Sequence, residues 1–257
     1  MITDSHAHLY WKSFDDDREE VLARSRKAGV DRMIIVGTDV ISSQAAFDLC
    51  AGEPDLFPTA GIHPHDAAHD DEGRRREARC TIEQMCRRPE CVAVGETGLD
   101  WFKEYSPRKD QLENFYWQLD LARRLDKPVV IHCRDAHTDT SKVIAEFPGV
   151  RGVMHCYTFG PDELAPYLEA GLYISFSGVV TYPKNDFNRA AAARVPRERL
   201  LVETDCPYLA PQGWRGKRNE PAYVAEVLRT VCEVRGDDFD SLAEQTSANA
   251  NALFGLP

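Results

Sequence analysis

Short apolar, β-branched runs alternate with longer amphipathic stretches along this whole chain. Eight of the apolar runs have the composition of strands, at 2–6, 32–37, 57–61, 91–95, 128–132, 152–155, 172–176 and 200–203. The segments between them have helical spacing, at about 15–28, 41–51, 76–87, 107–126, 138–146, 161–169, 186–194 and 220–235, with a ninth near 239–254. The pattern therefore predicts strands and helices in regular alternation.

The segment 107–126 shows the helical period most clearly. Its apolar residues recur at three- and four-residue steps, at Leu112, Phe115, Tyr116, Leu119, Ala122 and Leu125. Ser106 and Pro107 precede them, and we predict that the serine caps this helix while the proline occupies its first turn.

Strands that alternate with crossover helices favour parallel pairing. Eight such units in 257 residues match the size of a (β/α)8 TIM barrel, here with an additional C-terminal helix. The main rival is a doubly wound open sheet, but no Gly-x-Gly-x-x-Gly loop follows the first strand. We find no linker, so we predict a single domain over 1–257.

Composition and charge narrow the class of protein. The chain is 43% hydrophobic, enough for one large core, and no apolar run approaches the roughly 20 residues that span a bilayer. The net charge of −11 argues against a protein that coats nucleic acid through a basic surface. The eight cysteines form no Cys-x-x-Cys pair and the N-terminus does not resemble a signal peptide. We therefore expect reduced thiols, a cytoplasmic location and no membrane partner.

The first predicted strand carries Asp4, His6 and His8 at every second position. Because strand side chains alternate between faces, these three point the same way, and two imidazoles so placed can hold a divalent metal. The alternative is a pair of unrelated polar histidines near the N-terminus. The rest of the chain has to decide between the two.

More histidines and carboxylates lie where the other strands end. Six strand ends contribute them, through His6 and His8, His63 and His65, Glu96 and Asp100, His132 and Asp135, His155, and Glu203 and Asp205. Of the eight histidines, only His69 and His137 lie elsewhere. In a barrel these ends all meet at one rim, which is where barrel enzymes place their sites.

This set exceeds the three protein ligands that one catalytic zinc needs, which favours two metal ions. We predict that one ion binds His6 and His8 and that the other binds His132 and His155. Glu96 is the natural bridge between the ions, and Asp205 then lies on the side of the nucleophile.

Together these motifs resemble the TatD-type metal-dependent deoxyribonucleases of the amidohydrolase-like barrel superfamily. The resemblance covers nearly the whole chain and is carried by Asp4-Ser5-His6-Ala7-His8-Leu9, Gly61-Ile62-His63-Pro64-His65, Gly95-Glu96-Thr97-Gly98-Leu99-Asp100, Ile131-His132-Cys133-Arg134, His155-Cys156-Tyr157, Glu203-Thr204-Asp205-Cys206-Pro207-Tyr208-Leu209 and Arg218-Asn219-Glu220-Pro221. Thr97 departs from the family, where an aliphatic residue is common, but it does not touch the ligands. Members of the wider superfamily often bridge their metals with a modified lysine after the fourth strand. No lysine lies there in this chain, so the resemblance implies that Glu96 takes this role, which favours the TatD branch of the superfamily.

The resemblance implies a TIM barrel, two divalent ions (Mg, Mn or Zn) and phosphodiester hydrolysis by a metal-activated water, often in the 3′→5′ direction. The family's metal ligands map onto His6, His8, Glu96, His132, His155 and Asp205. We expect catalytic roles for Asp205, Glu96 and His63 and substrate contacts from His65, Arg134, Arg218 and Asn219. The expected substrate is the end of single-stranded DNA, with RNA as a variant, bound by a monomer. Trp101, Phe102 and Tyr105 either stack a terminal base or simply pack.

Two other functions use the same residues. A binuclear amidohydrolase or lactonase would apply the same water activation to a C–N or C–O bond in a small molecule, and fold alone does not separate the two. A non-enzymatic, metal-bound scaffold in a nucleic-acid-processing assembly is the third reading. Structural zinc sites are closed and rich in cysteine, which the strand-end residues are not.

Overall fold

The structure is a computed structural model that describes residues 1–68 and 71–256. Its strands are β1 (Ile2–Ala7), β2 (Val30–Ile35), β3 (Leu56–Ala60), β4 (Ala93–Asp100), β5 (Val129–Arg134), β6 (Gly152–Met154), β7 (Tyr173–Phe176) and β8 (Leu200–Val202). Its α-helices are α1 (Arg18–Lys27), α2 (Val40–Cys50), α3 (Glu72–Cys86), α4 (Arg108–Leu125), α5 (His137–Ala145), α6 (Ala165–Glu169), α7 (Asp186–Arg194), α8 (Val224–Arg235) and α9 (Phe239–Phe254).

The strands form one parallel sheet in the order of the sequence, from β1 to β8. The sheet curls until its two edge strands, β1 and β8, meet. Their contact is a parallel β-bridge between Ala7 and Cys206, just beyond β8. Two backbone hydrogen bonds hold this seam, from His8 N to Cys206 O (2.9 Å) and from Asp205 N to His6 O (2.9 Å). The predicted TIM barrel with an additional C-terminal helix is confirmed, and the doubly wound sheet was the wrong alternative.

Alternation along the strands divides the barrel interior into two layers. Val130, Val153 and Leu201 belong to a buried apolar cluster, and the residues two positions further on are His132, His155 and Glu203. Since strand side chains repeat every second residue, the apolar layer lies directly below the polar one. The end of α9 contributes Ala250, Leu253 and Phe254 to the same apolar cluster.

Helix α9 thus closes the amino-terminal end of the barrel. Asn249 donates from its side-chain amide to the backbone oxygens of Arg197 (2.7 Å) and Leu200 (2.8 Å), where β8 begins. Ser247 donates to Met1 O at 3.3 Å, where β1 begins. With this end plugged, the carboxyl ends of the strands form the accessible mouth. In the described part of the chain, no helix is both long and apolar enough to cross a membrane.

Strand β4 runs five residues past its predicted end at Gly95. The continuation depends on Gly98, whose φ of +140° places the missing side chain against β5. A Cβ at this position would collide with the carbonyl oxygen of His132, so only glycine allows the two strands to pair there.

The predicted cap of α4 was wrong. The helix begins at Arg108, Pro107 occupies the capping position and no side chain caps it. The Ser106 hydroxyl instead donates to His65 O (2.7 Å) and accepts from Ala68 N (3.0 Å). The serine therefore fixes the loop after β3, which carries two of the predicted site histidines.

Candidate metal centre

The predicted ligands converge inside the mouth of the barrel, and the Glu96 carboxylate lies at their centre. Glu96 is buried in the middle of β4. Its Oε2 lies 3.3 Å from His6 Nε2 and 3.9 Å from His8 Nε2. Its Oε1 faces a second set of nitrogens, at 2.9 Å from His155 Nε2, 3.1 Å from His132 Nδ1 and 3.4 Å from His63 Nε2. The two oxygens of one carboxylate thus serve two separate groups of imidazoles.

The first group, which we call the β1 cluster, consists of His6, His8 and Asp205. The Nε2 atoms of the two histidines are 3.1 Å apart, and Asp205 Oδ1 lies 3.4 Å from His8 Nε2 and 3.8 Å from His6 Nε2. The Nδ1 of His8 lies 2.8 Å from Val36 O, which can only accept a hydrogen bond. A proton on Nδ1 leaves the Nε2 lone pair free to bind a metal.

The second group, which we call the β5 cluster, consists of His63, His132 and His155. His132 uses Nδ1 towards Glu96, and its Nε2 lies 3.1 Å from Asp100 Oδ2. His155 uses Nε2 towards Glu96, and its Nδ1 lies 3.1 Å from Glu203 Oε1. In both rings the far nitrogen meets a carboxylate that fixes which nitrogen carries the proton.

These two supporting carboxylates, Asp100 and Glu203, had no role in our sequence-based assignment of the ligands. Both are fully buried, Asp100 between His132 and His65 (2.9 Å from its Nε2) and Glu203 between His155 and the amide of Cys156 (2.7 Å). The sequence held a signal for this supporting role. Asp100 lies four residues from Glu96 and Glu203 lies two residues from Asp205, and side chains an even number of residues apart on a strand face the same way.

Asp4 has a supporting place beneath the β1 cluster. Its carboxylate accepts from Thr204 N (2.9 Å), from Thr204 Oγ1 (2.6 Å) and from His6 N (3.2 Å). It therefore ties the strand of His6 to the turn that carries Asp205. Asp205 itself has a φ of +57°, a left-handed conformation that aspartate adopts more readily than most residues.

The charges of the centre depend on one another. Burial alone would raise the pKa of Glu96, but His155, His63 and His6 around it lower that pKa well below its ordinary value. Burial likewise opposes ionisation of Asp205, yet its bond to His8 and the nearby imidazoles lower its pKa. Burial lowers the pKa of His63 to about 4. Both carboxylates are therefore ionised at neutral pH, and the His63 ring is neutral.

The donor set fits divalent cations. In the described residues, every ion pair of Glu96 and Asp205 is with an imidazole, and neither pairs with lysine or arginine. His6 Nδ1 and Glu203 Oε2 are buried with no hydrogen-bond partner in that part of the chain. Unpaired polar atoms of this kind cost free energy in the absence of a counter-charge. Three ligand groups are close enough to hold an ion, namely His6, His8 and Glu96; His63, Glu96 and His132; and His6, His155 and Glu203.

The four predicted substrate residues lie in different surroundings. His65 is partly exposed at the mouth against Asp100, and the guanidinium carbon of Arg134 lies 3.9 Å from the centroid of the Phe102 ring. Arg218 pairs with Asp17 (2.7 Å) and also donates to Ser13 O. These three roles stay predictions, although the ion pair of Arg218 already occupies its guanidinium.

Asn219, the fourth, is buried and holds the loop after β8. Its amide donates to Thr204 O (2.8 Å) and Tyr208 O (2.6 Å), and its side-chain oxygen accepts from Glu220 N (3.0 Å). Of the histidines set apart from the site, His137 contacts the hydroxyl of Tyr167 (2.9 Å), and His69 lies outside the described residues.

Comparison with known proteins identifies the family. The family described as TatD related DNase matches residues 3–255. The chain belongs to this family. A TatD-family relative from Citrobacter rodentium (strain ICC168), named 3′-5′ ssDNA/RNA exonuclease TatD, is 38% identical over 98% of this chain and 97% of its own. One from Bacillus subtilis (strain 168), named an uncharacterized metal-dependent hydrolase YabD, is 35% identical over 100% of both chains.

Among solved TatD-family structures, the homologue YJJV from Escherichia coli K12 superposes with a TM-score of 0.91 at 28% identity, covering 100% of this chain and 98% of the other. This chain is accordingly a metal-dependent hydrolase that acts on ester bonds. The predicted fold, family and enzyme class are confirmed. The individual ligand assignments stay predictions.

Proposed function

We propose that this enzyme removes nucleotides from the 3′ end of single-stranded DNA, and of RNA, using two divalent metal ions. The observation that carries the proposal is the position of the Glu96 carboxylate, whose two oxygens face two different groups of imidazoles 2.9–3.9 Å away. A carboxylate in this position suits a bridge between two ions, and paired ions are common in nucleases.

The proposed ligands follow the two clusters. The β1 cluster and Glu96 would hold one ion, and the β5 cluster and Glu96 the other. Compared with our sequence-based assignment, this adds His63, whose Nε2 is 3.4 Å from Glu96 Oε1, to the ligands of the second ion. Imidazole and carboxylate ligands suit Zn²⁺ and Mn²⁺ better than Mg²⁺. When bound, such ions lower the pKa of water and polarise phosphate oxygens.

Asp205 is the proposed base. Its Oδ1 faces the β1 cluster, and its side chain keeps 14% of its surface exposed, whereas His6, His8 and Glu96 beside it are at most 5% exposed. A water beside this carboxylate can donate a hydrogen bond to it, which orients the water and gives its proton an acceptor. The lowered pKa of Asp205 keeps the carboxylate ionised and ready to accept.

The opposite side of the mouth is proposed to bind the phosphates and to protonate the leaving oxygen. His65 is 27% exposed and hydrogen-bonded to Asp100, so it can carry a proton between solvent and the site. The guanidinium of Arg134 lies over the Phe102 ring and can offer two parallel N–H groups to a phosphate.

Charge and the relatives support single-stranded ends as the substrate. With a net charge of −11 the protein has little to attract a long duplex, whereas one terminal phosphodiester can enter a mouth lined by histidines. The relative from Citrobacter rodentium, 38% identical over nearly the full length, is named for this activity. All eight cysteines are free, which supports the reducing cytoplasm as its compartment.

The test is cleavage of a 5′-labelled single-stranded oligonucleotide with Mn²⁺, Zn²⁺, Mg²⁺ or EDTA. We expect metal-dependent shortening from the 3′ end, lost in Glu96→Ala and Asp205→Ala and kept in a surface control, Asp126→Asn. A wild-type enzyme that shortens no oligonucleotide with any metal, yet hydrolyses a lactone or an amide, would contradict the proposal.

A further inference from the structure

Exposed aromatic side chains gather at the mouth of the barrel. In the described part of the chain, five aromatic residues are largely exposed, and four of them lie on the segments that follow β1, β4 and β8: Trp11, Phe102, Tyr105 and Tyr208, with Phe187 the exception. Exposed apolar surface that collects at one place is typical of a binding site. These four residues fall into two pairs of different character.

Trp11 and Tyr208 form the first pair, and each is attached directly to the β1 cluster. The amide of Trp11 donates to His8 O (3.2 Å), and the amide of Tyr208 donates to Asp205 O (2.9 Å). Trp11 and Tyr208 therefore each lie three residues after a predicted metal ligand, His8 and Asp205 respectively, and each is joined to it by one hydrogen-bonded turn. Tyr208 is fixed a second time, because Asn219 donates to its carbonyl at 2.6 Å.

The two rings meet edge to face, with centroids 5.6 Å apart and planes at 82°. Trp11 is 42% exposed and Tyr208 46% exposed, so the contact leaves much of both rings open. Among the described residues, no lysine or arginine stacks on either ring. Burial and the charges of Asp205 and Glu96 raise the pKa of Tyr208, which agrees with its position beside the metal centre.

Phe102 and Tyr105 form the second pair, which carries positive charge. Arg134 covers Phe102 at 3.9 Å, and Lys103 lies 5.5 Å from the Phe102 ring and 5.9 Å from the Tyr105 ring. Tyr105 also contacts His65 edge to face at 4.8 Å. Cations at this pair suit phosphates, whereas the uncharged pair beside the β1 cluster suits a base.

We propose that Trp11 and Tyr208 bind the base of the 3′-terminal nucleotide, while the Arg134 side of the mouth binds the phosphates of the retained strand. The inference rests on the proposed exonuclease function. An exonuclease that removes one residue needs room for one base beyond the scissile phosphate, and the perpendicular pair offers one such place. Aromatic stacking accepts every base, so the site recognises a nucleotide end without reading its sequence.

The test compares two oligonucleotides of thymidine, one natural and one with an abasic 3′-terminal residue. For the wild-type enzyme we expect the abasic end to lower kcat/KM about 5- to 150-fold, the range for loss of one base–aromatic stack. Trp11→Leu should lower kcat/KM by a similar factor on the natural oligonucleotide and cause little further loss on the abasic one. Trp11→Phe should recover part of the activity.

Trp117→Leu is the matched control, since it removes another, half-buried indole from α4, where the Arg79 guanidinium lies 5.2 Å from its ring. It should leave the contrast between the two oligonucleotides unchanged. Equal losses on both oligonucleotides in Trp11→Leu would overturn the base site. So would sensitivity to an abasic residue at the penultimate position alone.

Binding separates this inference from the proposed function. Fluorescence anisotropy in EDTA follows the same two oligonucleotides without cleavage. If the wild type binds the natural end more tightly and Trp11→Leu abolishes that difference, the base site stands, even where no metal supports cleavage and the exonuclease proposal fails. Cleavage without any such difference in binding or rate supports the exonuclease and overturns the base site.

Discussion

Replacement of Asp100 by asparagine should weaken metal binding at the β5 cluster by reversing the hydrogen bond between this side chain and His132. Oδ1 of Asp100 accepts from the amides of Phe102 (3.0 Å) and Lys103 (2.8 Å), and Oδ2 faces Nε2 of His132 (3.1 Å) and of His65 (2.9 Å). The two amides can only donate, so the carbonyl oxygen of an asparagine has to remain with them. Its NH2 group then points at the two imidazoles.

The consequence for His132 is a change of tautomer. With a donor opposite Nε2, this nitrogen becomes the acceptor, and the ring proton moves to Nδ1, which lies 3.1 Å from Glu96 Oε1. That is the atom proposed to bind the metal. Loss of such a supporting carboxylate typically weakens metal binding 10–100-fold, or about 1.4–2.7 kcal/mol.

Calorimetric titration of Zn²⁺ or Mn²⁺ into metal-stripped protein measures this loss, and NMR of the imidazole nitrogens identifies the tautomer. We expect one of two sites to weaken 10–100-fold in Asp100→Asn while Nδ1 of His132 gains the proton. Asp126→Asn, at the far end of α4 with the same change of charge, should match the wild type. An Asp100→Asn protein that keeps both affinities and the Nε2–H tautomer would refute the reasoning.

Two further predictions concern stability. Gly98→Ala should lower the free energy of unfolding, measured by urea denaturation, by about 3 kcal/mol or more, because the new Cβ meets the His132 carbonyl at a φ of +140°. The control Gly213→Ala, where a Cβ meets open space, should lower the free energy of unfolding by less than about 0.5 kcal/mol. Arg218, with a smaller contribution from Arg24, lowers the pKa of Asp17 to about 2 from an ordinary 3.8. The pair of Arg218 and Asp17 therefore stabilises the fold above pH 4 and loses this contribution as pH falls towards 2. Arg218→Gln should therefore shift the urea midpoint at pH 6 and not at pH 2, and a shift independent of pH would contradict the pairing.

Periodicity together with chain length predicted the barrel, and periodicity predicted the direction of the main site residues. The spacing of Val130 and His132, or of Val153 and His155, places an apolar residue below a histidine on one face of a strand, and this needs no knowledge of the neighbours. Parallel pairing then brings those histidines to one rim. In the described residues the α-helices also lie close to their predicted positions, because most of them carry a detectable apolar stripe; α6, with only five residues, is shorter than the predicted 161–169.

Contacts between distant parts of the chain could not be predicted in this way. The partner of Arg218 is Asp17, which lies 201 residues away. The hydroxyl of Ser106 looked like a helix cap, but it bonds to His65 O and Ala68 N, an alternative that local sequence does not reveal. Which carboxylate supports which imidazole, as with Asp100 and Glu203, likewise depends on the three-dimensional packing of strand ends.

The most direct test of the central claim is exonuclease activity during a stepwise titration of metal-stripped enzyme with Mn²⁺. If Glu96 bridges two ions, activity should stay low through the first equivalent per chain and rise through the second. It should stay near background throughout in Glu96→Ala. Full activity after one equivalent, or a Glu96→Ala enzyme that titrates like the wild type, would contradict a two-ion centre built around this carboxylate.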